Sequence, residues 1–599
     1  MKHVLLTLAA GLVVAAVVAG ISNEFYLRVL FNMGVYYLCA AGMNVLLGYA
    51  GQKSLGQAGL VAAGAYAAAI LTTRYGVDPW LSLVAAMAIA GFCGILIALP
   101  SLKVKGPSLA MVTLAFGVVV EKVVSEFTDI FGGAMGIYAI QPLYGFSQPF
   151  TMTHWVWFVI ALGVVTHLLM RNLLTGRFGR AFLSLQADEI AAGSVGVQVY
   201  GYKVLAFVVA AVTCGLAGAL IAQQNQYFNS DFITFHLSIF IMLVVLFGGA
   251  GSLYGPLLGS VVLVCLGALL ARWSWIEHFV NGALLLFALY VMPRGLAGVL
   301  SDLRNRFTVK GAAAPVAQAP SGLTPFTVRR GGDALAPDSA LLTVTGVSKA
   351  YGGVKPARDV SFTLKTGHIH ALIGPNGAGK TTMINMLSGI VPPDAGAISF
   401  RGETMIGRGV DDICERGLGR TFQNLRLFKD LSVLDNVLLG QHRRMGNGFF
   451  SSLLALPKAR REEAKALAHG RAVLAFLGLD AHADAPAGSL AYGLQRRVEL
   501  ARALATEPWL LLLDEPAAGL NPRETAELGE LLKRIRDRGV TILLVEHHMD
   551  LVMAISDHVI VLDYGEKIAE GSPAQVQADP RVMAAYLGTD EEAMDHAVA

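Results

Sequence analysis

The chain has 599 residues, 54% of them hydrophobic and 15% charged, with a formal net charge of +3. That balance excludes a disordered chain and an ordinary soluble enzyme, and the near-neutral charge gives no reason to expect nucleic acid as a partner. Residues 1–300 hold 13 Lys/Arg and 9 Asp/Glu, whereas the other 299 hold 33 and 34. One half has the composition of a membrane protein and the other that of a soluble domain. Cys39, Cys93, Cys214 and Cys265 lie in apolar runs and Cys414 stands alone, a distribution that fits neither a disulfide framework nor a zinc site.

Apolar runs fall near 4–20, 28–48, 58–73, 80–99, 107–124, 154–170, 204–222, 234–249, 254–271 and 279–293. Several are nearer ~16 than ~20 residues, so about eight to ten spans are expected, one or two of them re-entrant. With the N-terminus inside, Lys2, Lys53, Lys103, Lys105, Arg171, Arg177, Arg180, Lys203, Arg294 and Arg304 share the inner side. Only Arg28, Arg74, Lys122 and Arg272 fall outside, and the outer loops near 125–153 and 223–233 contain no Lys or Arg. The positive-inside bias therefore places the C-terminal half in the cytoplasm. The first run also has the pattern of a cleaved signal peptide, with Lys2 before it and Ala19-Gly20 after it; a retained helix is the expectation.

Residues 305–340 contain Ala312-Ala313-Ala314-Pro315, Ala319-Pro320-Ser321-Gly322 and Gly331-Gly332, with no helical or strand periodicity. A stretch of this composition and length reads as a flexible tether. The expected organisation is a membrane domain over 1–304, a linker over 305–340 and a soluble domain over 341–599.

The strand-like run Ile369–Ile373 leads into Gly374-Pro375-Asn376-Gly377-Ala378-Gly379-Lys380-Thr381-Thr382, which fits the phosphate-loop pattern in its strand–loop–helix context. Its glycines let successive backbone amides turn towards phosphate, Lys380 reaches the β- and γ-phosphates, and the Thr381 hydroxyl suits Mg²⁺. Leu510-Leu511-Leu512-Leu513-Asp514-Glu515 reads as a buried parallel strand ending in two carboxylates. Asp514 suits the Mg²⁺ shell, and Glu515 is placed to polarise an attacking water. A second strand, Thr541–Val545, ends at Glu546-His547-His548, where His547 is positioned to reach a γ-phosphate.

Leu490-Ala491-Tyr492-Gly493-Leu494-Gln495-Arg496-Arg497, just before an Ala/Leu-rich helix and the Asp514 strand, resembles the ABC transporter signature. The resemblance implies roles at further positions. Tyr351 would stack on adenine, Gln423 in Arg420-Thr421-Phe422-Gln423-Asn424 would be the Q-loop glutamine and a Mg²⁺ ligand beside Thr381 and Asp514, and Gly519-Leu520-Asn521-Pro522 would be the D-loop. His547 would be the switch histidine, and Ala491, Tyr492, Gly493 and Gln495 would face the ATP held by a partner ATPase.

More narrowly, the soluble half resembles the ATP-binding subunits of branched-chain amino-acid importers, through the 492–497 run, Ala517–Pro522 and the ending Ala585-Tyr586-Leu587-Gly588. The membrane half is similar to the matching permease subunits. Gly48–Gly56, Val112–Gly117, Gly248–Pro256 and Pro293–Gly298 carry that similarity. The implied fold is an all-α polytopic membrane domain fused to an α/β P-loop ABC ATPase domain with a helical subdomain.

Two departures from the general signature stand out. Ala491 occupies the position of a serine, which removes one hydrogen bond to phosphate, worth ~1–3 kcal/mol, and Leu494 occupies that of a glutamine. His548 also follows His547 where an aspartate is commoner, a change with no explanation in the sequence.

The cytoplasmic segment 171–203 contains Asp188-Glu189-Ile190-Ala191-Ala192-Gly193 and resembles a coupling helix, with Glu189, Ala191, Ala192 and Gly193 docking on the ATPase beside Gln423. The implied function is ATP-driven import of branched-chain or related amino acids across a bacterial inner membrane. The implied partners are a second permease, a second ATPase and a periplasmic substrate-binding protein. Urea, amides and other amino acids remain alternative substrates. An exporter half-transporter is the other alternative, disfavoured by the short cytoplasmic loops. A membrane-anchored regulatory ATPase would not need so many spans.

Overall fold

The computed structural model describes residues 2–101, 104, 106–145, 148–292, 294–308, 336 and 338–587. Most of the expected linker lies outside these residues, although a helix runs through 305–308 and the first strand of the soluble half begins at Ala340. The chain forms two compact units that do not follow its linear halves. One comprises Met1–Ala187, Val199–Pro315 and Gly448–Leu456; the other comprises Asp188–Gln198, Val316–Asn447 and Pro457–Ala599.

In the first unit every expected apolar run is helical. The helices are α1 (Lys2–Ala19), α2 (Glu24–Met43), α3 (Gln57–Thr73), α4 (Pro79–Ser101), α5 (Pro107–Glu126) and α6 (Met152–Leu174). After the short α7 (Arg177–Ala187) come α8 (Val199–Asn225), α9 (Phe235–Gly248), α10 (Gly255–Leu270), α11 (Ser274–Val291) and α12 (Gly295–Thr308). Among the described residues, six helical segments are long and apolar enough to cross a membrane, and α1, α3 and α10 are shorter apolar helices.

Small residues set the helix crossings in this unit. A Cβ on Gly64 of α3 would stand 2.1 Å from the Gly215 carbonyl oxygen of α8, and one on Gly218 would stand 2.0 Å from that of Val61. Backbones this close need glycine, the usual device where lipid supplies no hydrophobic drive between helices. α2 passes into a π-helical turn, Asn44–Tyr49. There the Asn44 side chain donates to the Ser252 carbonyl (2.8 Å) and accepts from the Gly251 amide (2.9 Å). The α1 helix packs on α6, where a Cβ on Gly11 would meet Val164 at 2.7 Å. Outside the spans, Ile137–Tyr138 pairs antiparallel with Tyr227–Phe228. The Gly448–Leu456 segment also belongs here: Phe449 lies edge-on to Phe178, and Asn172 donates to the Leu453 carbonyl at 3.1 Å.

The second unit is built on two sheets. Its strands are β1 (Ala340–Tyr351), β2 (Val354–Lys365), β3 (Ile369–Ile373), β4 (Ala395–Phe400), β5 (Leu418–Arg420), β6 (Leu510–Asp514), β7 (Thr541–Val545), β8 (His558–Asp563) and β9 (Glu566–Gly571). The main sheet has the order β5-β6-β7-β3-β8-β9, parallel except for β9, and an antiparallel sheet runs β2-β1-β4 with Glu403–Thr404 at its edge.

Both faces of the main sheet are covered, which explains the unbroken apolar run of β6. Leu511 and Leu513 join a core with the helical elements α14 (Val433–Gly440), α15 (Pro457–Phe476), α16 (Tyr492–Ala505) and α17 (Pro522–Asp537). Leu510 and Leu512 face the other core, with Val344, Val360 and Phe400 of the antiparallel sheet. The α13 helix (Lys380–Leu387) packs there through Met383, Ile384 and Leu387. At the end of the chain, Val582 of α18 (Pro580–Leu587) packs with Ile373, Val559 and Val561.

Candidate functional site

The site in the second unit lies at the carboxyl ends of β3, β6 and β7, the edge where parallel α/β sheets gather ligands. Register makes the ends level: Asp514 pairs with Val545, and Val545 with Leu372. The three expected clusters, from Gly374, Asp514 and His547 onward, therefore emerge side by side.

The phosphate loop turns on three glycines in the left-handed region, Gly374 (φ 149°), Gly377 (φ 85°) and Gly379 (φ 96°). Their roles differ. A Cβ on Gly374 would stand 2.0 Å from the Leu562 carbonyl oxygen and one on Gly379 1.8 Å from that of Pro356, whereas one on Gly377 would meet only open space. Gly374 and Gly379 fit the loop against the sheets, and Gly377 leaves room beside the backbone for a ligand. Lys380 opens α13 and is buried, its ammonium donating to the carbonyls of Gly374 (2.7 Å) and Pro375 (2.9 Å). Burial lowers its pKa, opposed by the charges of Glu515 and Asp514. A cation held inside the loop curl in this way suits an incoming polyphosphate.

Asp514 is almost fully buried, and desolvation raises its pKa against the pull of Arg420, whose Nη2 lies 3.5 Å from Oδ2. Its Oδ1 has no hydrogen-bond partner among the described residues. An unpartnered buried carboxylate oxygen calls for a ligand. Together with the Thr381 hydroxyl in the first turn of α13, this donor set fits Mg²⁺, which takes few protein ligands and keeps its waters. When bound, the ion would neutralise phosphate charge.

Glu515 is held at φ 46°, a left-handed conformation that non-glycine residues rarely adopt, with its amide bonded to the Val545 carbonyl. Two of the other expected site residues converge on its carboxylate: Gln423 Nε2 donates to Oε2 at 3.0 Å, and His547 Nδ1 lies 3.8 Å from the same oxygen. The neighbouring Glu546 is a structural acid, fully buried, accepting from the amides of Ala517 (2.7 Å) and His547 (3.2 Å). Tyr351 ends β1 half exposed, with the Lys349 ammonium 5.5 Å from its ring centre.

Ala491, Tyr492, Gly493 and Gln495 start α16, and among the described residues no hydrogen bond or ion pair joins them to the phosphate loop of this chain. Ala491 is the N-cap and makes no side-chain cap bond, which leaves the first amides of α16 free of the partner that a serine would give. Asn521 caps α17, accepting from the Glu524 amide at 2.9 Å while Glu524 accepts from its own amide at 3.0 Å.

The Asp188–Gln198 segment is part of this unit. Asp188 caps the helix Glu189–Ser194, its Oδ1 accepting the amides of Ile190 (2.9 Å) and Ala191 (3.0 Å), while Oδ2 takes Arg426 Nη1 at 2.6 Å. Ala191, Ala192 and Gly193 are buried and Glu189 half-buried. Gly196 (φ 83°) closes the turn, with no room for a Cβ beside the Arg443 side chain.

Sequence reasoning missed the arginines that tie these parts together. Arg426 and Arg420 both lie against the Phe422 ring, 5.1 and 4.8 Å from its centre. From α16, Arg496 donates to the carbonyls of Phe422 (2.8 Å) and Gln423 (2.6 Å), and Arg502 to that of Arg426 (2.7 Å). Between them is the buried Glu499, 3.4 Å from Arg496 and 3.8 Å from Arg502. The available signal was the density of arginines flanking Gln423 and in α16, which in a strand-adjacent loop and a buried helix requires paired acids.

Comparison with known proteins places three family matches along the chain. The profile of the family described as branched-chain amino acid transport system / permease component matches residues 25–289. That of the ABC transporter family matches 357–518, and that of the branched-chain amino acid ATP-binding cassette transporter family matches 566–592. The high-affinity branched-chain amino acid transport ATP-binding protein LivG of Salmonella typhimurium is 45% identical over 249 residues, 98% of that protein and 41% of this chain. Its counterpart BraF of Pseudomonas aeruginosa is 43% identical over the same shares. A probable LivG of Archaeoglobus fulgidus is 33% identical over 255 residues, 98% of that protein and 43% of this chain. ATP hydrolysis coupled to transport is the activity of this fold. The chain therefore belongs to the branched-chain amino acid ABC transporter family, with a permease component and an ATP-binding component in one polypeptide.

Proposed function

We propose that the chain is the combined permease and ATPase subunit of a binding-protein-dependent importer that takes branched-chain amino acids across a bacterial inner membrane. The observation that carries this reading is the presence of both components on one chain, each matched by a branched-chain amino acid transport family. Residues 1–304 act as the permease, 305–340 as a tether, and 341–599 as a cytoplasmic ATPase. A second permease, a second ATPase and a periplasmic substrate-binding protein complete the assembly. A heteromer is favoured because the similar ATP-binding proteins are separate chains.

In the proposed site Tyr351 stacks on adenine, Gly374–Thr382 hold the phosphates, and Thr381, Gln423 and Asp514 serve Mg²⁺. Glu515 polarises water, oriented by Gln423 and His547, whose contacts on its carboxylate fix where the base points. Ala491, Tyr492, Gly493, Gln495 and Asn521 face the ATP of the partner ATPase. The helix Glu189–Ser194 is continuous in sequence with α7 and α8, so movement of the ATPase around ATP is passed to the spans.

Uptake of labelled leucine, isoleucine and valine into proteoliposomes tests this reading, using the chain with its second permease, second ATPase and binding protein, and ATP on the ATPase side. ATP-dependent accumulation of these amino acids is expected. Accumulation of urea or an amide in their place would overturn the substrate. Substrate-stimulated transport by the chain with a binding protein alone would overturn the heteromer in favour of a symmetric dimer.

A further inference from the structure

The membrane unit contains a cavity of about 600 Å³, within the ~300–1,000 Å³ range of small-molecule sites. It is bounded by the first turns of α2, the last turn of α8 and the segment that follows, and by α9 and α10. Its charged and amide side chains on the two long helices lie toward the N-terminal end of α2 and the C-terminal end of α8. On α2 the cavity-facing residues include Arg28 and Asn32, one helical turn apart among Phe25, Val29 and Phe31, with Val35 and Tyr36 a turn further in. On α8 they run back from Gln224 and Asn225 at the helix end to Ile221. The N-terminus of α2 and the C-terminus of α8 thus supply the polar end, and the helix interiors supply the apolar end.

Two opposite charges belong to that polar end. Arg28 has no hydrogen-bond or ion-pair partner among the described residues. Asp231 is held by Asn229 Nδ2, 2.8 Å from Oδ2, and makes no ion pair with Arg28. The carboxyl end of α8, with its partial negative charge, adds to the attraction for a cation there. Both side chains are exposed at the rim of the cavity, where two charges of opposite sign without a mutual ion pair can meet the two ends of a zwitterion.

We propose that this cavity binds a zwitterionic α-amino acid with an aliphatic side chain. Arg28 takes the carboxylate, Asp231 takes the ammonium, and the side chain lies along Val35, Val61 and Val264. The proposal rests on the import reading and adds to it a recognition step inside the permease, separate from the binding protein.

The test omits the binding protein, since that protein has its own specificity. Saturation-transfer NMR with the membrane complex in nanodiscs reads weak binding of leucine, leucine amide and 4-methylpentanoate. For the wild-type complex leucine should give a signal at least ~5-fold stronger than either analogue, each of which lacks one charge. Arg28→Ala should lower the leucine signal to that of the amide without changing the amide, and Asp231→Asn should do the same relative to 4-methylpentanoate. Arg28→Lys, which keeps the charge, should keep the preference for leucine. A complex that imports leucine with its binding protein, yet binds none without it or binds equally in Arg28→Ala and Asp231→Asn, overturns the cavity assignment alone. Loss of complex assembly in both Arg28 variants assigns the residue to subunit packing and also overturns it. A wild-type complex that imports no branched-chain amino acid overturns the import reading and this ligand together.

Discussion

Asp188 divides its two carboxylate oxygens between two tasks: Oδ1 caps its own helix and Oδ2 holds the Arg426 guanidinium at 2.6 Å. Arg426 follows Gln423 by three residues, and Gln423 donates to Glu515. A short stretch of backbone, pinned by Arg496 and Arg502, therefore separates a residue covalently attached to the membrane helices from the proposed hydrolytic carboxylate.

Charge reversal at Asp188 should uncouple rather than disable. Asp188→Lys is expected to lower transport by ~10-fold or more while basal ATPase changes much less, and the double variant Asp188→Arg with Arg426→Asp should regain part of the loss. Reversal at Glu189, which is not the partner of Arg426, should have the smaller effect. Uptake and phosphate release measured on the same proteoliposomes decide the matter; parallel loss of both would count against a coupling role.

Glu515→Gln keeps the shape of the side chain and removes its charge. ATP should still bind while turnover falls ~100-fold or more. Lys380→Ala should instead weaken nucleotide binding, because phosphate charge loses its nearest cation. Near-normal hydrolysis by the first variant, or parent-like ATP affinity in the second, would refute the corresponding role.

Gly218→Leu should prevent assembly of the membrane unit, since even a Cβ would stand 2.0 Å from the Val61 carbonyl oxygen. Two rigid backbones cannot both yield, so the crossing must open. Loss of monodisperse protein in detergent is the expected readout, and a well-folded variant with parent-like thermal stability would contradict the crossing.

The stability of the ATPase unit should fall on acidification through His370. Burial lowers its pKa to about 4. Between the ordinary histidine value of ~6.5 and pH ~4 the unfolded chain binds a proton that the folded one refuses, so stability is full above ~6.5 and lost as pH falls. The loss from this group reaches at most about 3 kcal/mol near pH 4. Calorimetry of the full chain at pH 7.5 and 5.0 should show a larger drop for the parent than for His370→Asn. Equal drops would assign the acid sensitivity to other groups.

Much of the architecture was legible because it depends on local pattern. The ten apolar runs became helices since their backbone groups must be satisfied internally, and the β6 leucines predicted a doubly covered strand. The phosphate loop was legible because its glycines are required by positive φ angles and close approach. Partnerships between distant residues were not. Nothing in the spacing joins Asp188 to Arg426, 238 positions away, or brings Arg28 and Asp231 to one cavity. The sequence reading counted Arg28 only as an outer-side charge. Segment membership also escaped it, since Gly448–Leu456 belongs to the membrane unit through the packing of Phe449 on Phe178.

The left-handed backbone of Glu515 has an evolutionary consequence. A non-glycine residue at φ 46° costs on the order of 1–3 kcal/mol, so glycine at this one position would make the domain more stable. A selection for heat resistance that ignores activity would therefore enrich Glu515→Gly, a sturdier protein without the proposed hydrolytic carboxylate.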